Sequence, residues 1–131
     1  MNPHLAVIEI IVADMGAALA FYRQLGLDPP DGAETEPHVD LDLPGGLRLA
    51  FDTQDTIRSF DESWTPPAGS SGIALAFACD GPAGVDAAHD ALVTAGHASH
   101  LAPFDAFWGQ RYATVLDPDG NSVDLFAPLP T

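Results

Sequence analysis

The sequence predicts an α+β protein of two tandem βαβββ modules that form a curved mixed sheet around a central cleft. Three observations predict it. An apolar run leading into an amphipathic helix occurs twice, over residues 5–26 and 72–96. Alternating segments folded back by Pro/Gly turns follow each helix. Residues also recur at fixed spacing: Asp42, Gly45 and Phe51 reappear 75 positions later as Asp117, Gly120 and Phe126, and Asp14 and Asp80 are 66 apart. A longer second helix and a longer loop after it absorb the difference. The modules are expected at about residues 1–53 and 71–131 of a single domain spanning 1–131, joined by a connector at 54–70.

Taken in order, Leu5 to Val12 is a near-continuous β-branched run and predicts the first strand. Asp14 offers an N-cap oxygen to a helix that ends at Gly26, with Ala18, Phe21, Tyr22 and Leu25 forming one apolar stripe. After the Pro/Gly-rich stretch from Asp28 to Gly32, His38 to Leu43 and Leu47 to Phe51 alternate around Pro44-Gly45-Gly46, as a hairpin does. Residues 52–71 are polar, with Pro66-Pro67 and Gly69-Ser70-Ser71, and are expected to connect rather than to form an element. The pattern then restarts. Gly72 to Cys79 predicts a strand, and Pro82 to Gly96 a helix with Val85, Ala88, Leu92 and Ala95 as its stripe. Strands are expected around Ala98 to Ala102, from Arg111 to Leu116 and from Ser122 to Phe126. The last two are joined by Asp117-Pro118-Asp119-Gly120-Asn121, which suits a type I turn.

Composition narrows the function classes. Apolar residues make up 47% of the chain, enough for a core and too many for a disordered polymer. No apolar run approaches the roughly 20 residues that span a bilayer. Met-Asn-Pro-His at the start carries no basic stretch, so no signal peptide is expected, and one cysteine, Cys79, excludes an internal disulfide. These features point to the cytoplasm. Nineteen acidic residues face four arginines and no lysine, for a net charge of -15. Schiff-base chemistry is thereby removed, and nucleic acid and anionic membranes become poor partners. The acidic surface either keeps a small protein soluble or gathers a small-molecule ligand that is cationic, and no cofactor is expected.

Val12-Ala13-Asp14, Phe21-Tyr22-Arg23-Gln24-Leu25-Gly26-Leu27, Phe107-Trp108-Gly109-Gln110-Arg111-Tyr112-Ala113 and Asp117-Pro118-Asp119-Gly120-Asn121-Ser122-Val123-Asp124-Leu125 together resemble the vicinal oxygen chelate superfamily. That superfamily includes glyoxalase I, extradiol dioxygenases and bleomycin-resistance proteins. The resemblance covers the chain outside the connector and implies its fold, a cleft where the modules meet, and a homodimer with clefts near or across the subunit boundary. It also implies four metal-ligand positions, on the first and last strands of each module. Matched to this chain, they carry Val7, Leu49, Gly72 (or Ala74) and Asp124. Only Asp124 has a donor side chain, whereas a divalent transition metal usually takes at least three. The chain therefore looks similar to the metal-free binders. His4, His38, His89, His97 and His100 are scattered and form no ligand pattern elsewhere.

Strand parity gives a cleft list: Glu9 and Ile11 with Val7, Ser122 and Phe126 with Asp124, and Leu47, Leu49 and Phe51 in the first module. Aromatic residues gather in two loops, Phe60 and Trp64 in one and Phe104, Phe107 and Trp108 in the other, and suit either stacking on a planar ligand or plain packing and a dimer contact. Gly109 beside Trp108 would admit close approach. Arg111 either pairs with Asp105 or Asp117 or orients a ligand carboxylate or carbonyl. The expected function is a metal-free binding protein of the glyoxalase and bleomycin-resistance type that sequesters an aromatic or cationic, antibiotic-like molecule. The alternatives are a lyase, isomerase or dioxygenase using a metal or a Glu9/Asp124 acid-base pair, and an accessory module with a vestigial cleft.

Overall fold

The computed structural model describes residues 2–69 and 71–131; Met1, in the N-terminal stretch considered above, and Ser70, in the expected connector, lie outside the described residues. The chain divides into two compact units, Met1–Pro66 and Pro67–Thr131, each with its own mixed sheet. The α+β class follows directly.

The first unit runs β1 (Val7–Val12), α1 (Met15–Gln24), a 3-10 turn (Ala33–Thr35), β2 (His38–Asp42), β3 (Arg48–Thr53) and α2 (Gln54–Arg58). Its sheet has the order β1-β3-β2, with β1 parallel and β2 antiparallel to β3. Helix α1 begins where Asp14, in extended conformation, accepts the Ala17 N–H at 3.1 Å. It ends at Gly26 (φ +90°), whose N–H donates to the Arg23 carbonyl while the Leu27 N–H donates to that of Tyr22. Tyr22 lies with its ring 5.3 Å from Phe51 and 4.9 Å from Phe21, and all three are fully buried beside Leu19 and Val12. Each such side chain stabilises the fold by about 1.5–3 kcal/mol as an upper figure.

Two features of this unit depart from expectation. It has three strands, not four. Residues 27–37 occupy the place of the missing one, and Pro29-Pro30 removes the N–H groups that a ladder requires. The segment is fastened to α1 instead: the Arg23 guanidinium donates to Glu34 at 3.0 Å and to the Pro30 carbonyl at 3.3 Å. The stretch expected only to connect also opens with α2, whose N-cap Thr53 accepts the Thr56 N–H at 3.2 Å and whose Ile57 is buried.

The second unit has the full pattern: β4 (Ala74–Ala78), α3 (Gly81–Thr94), β5 (Ala98–Asp105), β6 (Gln110–Leu116) and β7 (Ser122–Pro128), in sheet order β4-β7-β6-β5. Strand β4 runs parallel to β7 and the other pairs are antiparallel. Pro103 sits on the edge strand β5, where the pairing with β6 shifts register. Val85 and Leu92 of α3 are buried, as are Ala113, Val115, Val123 and Leu125 of the sheet. Helix α3 ends as α1 does, at Gly96 (φ +99°), with Gly96 N–H to Val93 and His97 N–H to Leu92, both 3.0 Å. Among the described residues no helix is long and apolar enough to cross a membrane.

Candidate ligand-binding site

Each sheet has one face covered by its helix and one open, and the ladder register decides which side chains belong to which. In the first unit Ile8 pairs with Leu49 and Ile10 with Phe51, and β2 adds Val39 and Leu41; this is the α1 face. The open face carries Val7, Glu9 and Ile11 of β1, Arg48, Ala50 and Asp52 of β3, and His38, Asp40 and Asp42 of β2. Leu49 and Phe51 therefore do not share a face with Glu9. The repeat spacing explains the correction. Leu43 N–H bonds to the Leu47 carbonyl, and Asp117 N–H to that of Asn121, so the hairpins superpose with an offset of 117 − 43 = 74 rather than 75. One residue of slip turns every side chain to the other face. Phe51 is thereby equivalent to Leu125, and Ala50 to Asp124.

The open face of the second unit is organised around Asp124. Its neighbour on β6 is Thr114, with Tyr112 opposite Phe126. The Thr114 hydroxyl donates to Asp124 Oδ1 at 2.7 Å and the Tyr112 hydroxyl to Oδ2 at 2.5 Å. Burial, reinforced by Asp124, pushes the Tyr112 phenol up to about 12, so it stays protonated and the carboxylate remains the acceptor. A carboxylate offers about four acceptor positions. Two are used here, and the residue beside Asp124 on β4 is Ala76, whose methyl adds neither donor nor charge.

The Tyr112 ring that holds this carboxylate belongs to an aromatic cluster. Trp108 meets Tyr112 at 5.2 Å, Phe104 at 6.3 Å and Phe107 at 5.0 Å, all edge to face, and Phe104 meets Tyr112 at 6.1 Å. The Trp108 indole N–H donates to Gln110 Oε1 at 2.8 Å, which fixes the ring's tilt. Trp108 is 47% exposed, Phe107 97% and Leu101 42%. Gly109 serves the turn: its φ of +91° closes the β5–β6 connection, where the Ala106 N–H bonds to the Gln110 carbonyl at 2.8 Å.

The other expected site residues fall in different places. Glu9 is exposed on the open face of the first unit, beside Ala50. Phe51 has no exposed surface and packs on Tyr22, so it cannot meet a ligand. Arg111 pairs with Ala127, on the α3 face. Its guanidinium donates to Asp86 of α3 and to Asp105, both at 3.0 Å, away from Asp124. Phe60 (75% exposed) and Trp64 belong to the first unit, where Arg58 lies 5.3 Å over the Trp64 ring. Tyr112 and Thr114 were missing from the expected set. Counting outward from the Asp117–Asn121 turn in steps of two would have found both and placed Arg111 on the helix side.

The residues do not fit a transition metal. The paired open-face positions on the first and last strands are Glu9 with Ala50 and Ala76 with Asp124, one carboxylate per unit. Leu49, expected at a ligand position, faces α1; Gly72 precedes β4 and Ala74 opens it. Both Asp124 oxygens already accept hydroxyl bonds. Among the described residues no three His, Cys, Asp or Glu side chains are grouped to hold an ion.

The chain matches the family model described as Glyoxalase/Bleomycin resistance protein/Dioxygenase superfamily over residues 4–125. It is similar in structure to a glyoxalase/bleomycin resistance protein/dioxygenase family enzyme from Burkholderia phytofirmans PsJN (24% identity, TM-score 0.78, 97% of this chain and 100% of that one). A glyoxalase-related enzyme from Fulvimarina pelagi gives 21% identity and a TM-score of 0.79 over 95% of this chain and 88% of that one. A glyoxalase/bleomycin resistance protein/dioxygenase from Nocardioides gives 23% and 0.75 over 98% and 85%. At such identities the likeness shows the fold alone. No curated protein matches the chain.

Proposed function

Because the chain belongs to the glyoxalase/bleomycin resistance protein/dioxygenase superfamily, we propose that it is one of that superfamily's metal-free small-molecule binders. It sequesters a planar aromatic, cationic or hydrogen-bond-donating compound of antibiotic-like chemistry, as a cytoplasmic homodimer. The observation that carries this reading is the open face of the second unit, where a carboxylate is held only by the Thr114 and Tyr112 hydroxyls and the Tyr112 ring joins a cluster with exposed Trp108 and Phe107. Rings supply stacking area, and Asp124 supplies acceptor positions that select a donor or cation over an anion.

A lyase, isomerase or dioxygenase has less support. The donor set does not suit a divalent metal, and a phenol near 12 is a poor proton donor at neutral pH.

The test uses matched probes, a planar aromatic amidine and the corresponding carboxylate, in a thermal-shift and tryptophan-fluorescence assay. The amidine is expected to bind and the carboxylate not. Trp108→Ala should weaken amidine binding by about 2- to 10-fold and Asp124→Asn by about 10-fold or more. Equal binding of both probes, or a Trp108→Ala protein with unchanged affinity, overturns the reading.

A further inference from the structure

His38 opens β2 on the open face of the first unit with a carboxylate against each ring nitrogen. Nδ1 is 2.5 Å from Asp52 Oδ1 on β3, and Nε2 is 3.0 Å from Asp40 Oδ2 on β2. A neutral imidazole has one N–H and one lone pair, so one of its nitrogens would set a lone pair against a carboxylate oxygen. Only the doubly protonated ring donates in both directions. The pairing matters because the Asp52 side chain is only 9% exposed and would otherwise be an almost buried, uncompensated charge.

We propose that His38 is a proton-dependent clasp: protonated, it ties β2 to β3 through Asp52 and steadies the start of α2, and on deprotonation that corner of the unit loosens. The clasp is well placed for this. Asp52 is followed by Thr53, the N-cap of α2, and the Thr56 hydroxyl donates to the carbonyl of Pro37, the residue before His38. The Thr53 N–H also donates to the Pro37 carbonyl, at 3.1 Å. The end of β3, the start of α2 and the start of β2 thus form one connected corner.

Other charges around the ring are predominantly acidic. On β3, Arg48 approaches Asp40 at 3.8 Å and is the one cation of the group. Asp42 of β2 lies across from Arg48. From the 27–37 segment, Asp31 and Glu36 line the same recess as His38 and Asp40. Strand β1 sets Ile11 beside Asp52 and contributes no charge there. Hydrogen bonds from Asp52, then Asp40, raise the His38 pKa above its ordinary value against a smaller opposing effect of burial. The sign follows. The clasp is complete below the ordinary imidazole range near 6.5 and is lost as pH rises through the elevated folded-state value.

The experiment combines an NMR titration of the five histidines of the full chain with amide exchange at β2, Thr53 and α2 over the same pH range. His38 is expected to titrate above the ordinary imidazole value. After correction for the base-catalysed intrinsic rate, opening of the corner should rise across that transition, tenfold for each unit by which the His38 midpoint exceeds the unfolded value. His38→Gln, which cannot carry the charge, should leave the corner permanently loose and its opening independent of pH. The wild-type titration stands alone if that variant folds poorly. A His38 midpoint at or below 6.5, or opening that ignores the His38 transition, overturns the proposal.

Discussion

Phe51 and Phe126 occupy matching places in the sequence repeat, yet the ladder register puts them on opposite faces of their sheets. Replacing each with leucine separates the two assignments. Phe51 has no exposed surface, and its ring stands 5.3 Å from Tyr22. Phe51→Leu loses that aromatic contact, about 0.5–1.5 kcal/mol, and leaves a small cavity worth about 1 kcal/mol more. The sum is about 2 kcal/mol. For a chain of this length about 1 kcal/mol lowers Tm by roughly 3–5 °C, so a loss of about 6–10 °C is expected. Phe126, half-buried on the open face, should cost about 0.5–1 kcal/mol as leucine. Urea unfolding followed by circular dichroism, with unchanged slope, measures both. Equal losses for the two variants, or a larger one for Phe126→Leu, would refute the register and with it the placement of Asp124.

The site and the charge pattern give further expectations. Tyr112→Phe removes one of two hydroxyl bonds to Asp124 and should destabilise by about 1–2 kcal/mol in urea unfolding. In a spectrophotometric titration of the folded protein, Tyr112 phenolate should appear only near pH 12, and the Asp124→Asn variant should release it earlier. Burial pushes the Cys79 thiol above the ordinary thiol range, so iodoacetamide at pH 8 should label it more slowly than free cysteine. Binding of the amidine probe should weaken steadily between low salt and about 1 M salt, because attraction to a chain of charge -15 is screened; salt-independent affinity would remove the electrostatic part of the proposal.

Much of the fold was legible because local signals agreed with one another. Asp14 capping marks the start of α1, Gly26 and Gly96 mark the ends of α1 and α3, and the two hairpin turns mark four of the strands. The missing strand of the first unit contradicts the expected βαβββ pattern, although Pro29-Pro30 stands where a ladder would have to form. The site was harder to read. A face assignment depends on parity, and parity fails on a single residue of error. The overlay was anchored on Asp42 and Gly45, but the hydrogen bonds that close the two hairpins begin at Leu43 and Asp117. Tyr112 and Thr114 were hidden for a related reason. They alternate with buried Ala113 and Val115 in a strand that reads as mainly apolar, and only their pairing with Phe126 and Asp124 shows what they hold. Arg111, by the same alternation, belongs to α3.

The two units have diverged at equivalent positions, and the divergence bears on what the second can bind. Each carries one carboxylate beside one alanine across its parallel pair, but the sense is reversed: Glu9 with Ala50, Ala76 with Asp124. Around the first unit's open face, charges are matched locally, with His38 between Asp40 and Asp52 and Arg48 nearby. The second has no such match. All four arginines are engaged elsewhere: Arg23 with Glu34, Arg48 with Asp40, Arg58 with Asp55 and the Trp64 ring, and Arg111 with Asp86 and Asp105. Lysine is absent from the sequence, so no other side chain of permanent positive charge exists to meet Asp124. Hydroxyl bonds from Tyr112 and Thr114 lower its energy without cancelling its charge. On the proposed reading, a half-buried carboxylate in that state, held by a tyrosine of the Trp108 ring cluster, favours an incoming cation or strong donor over an anion.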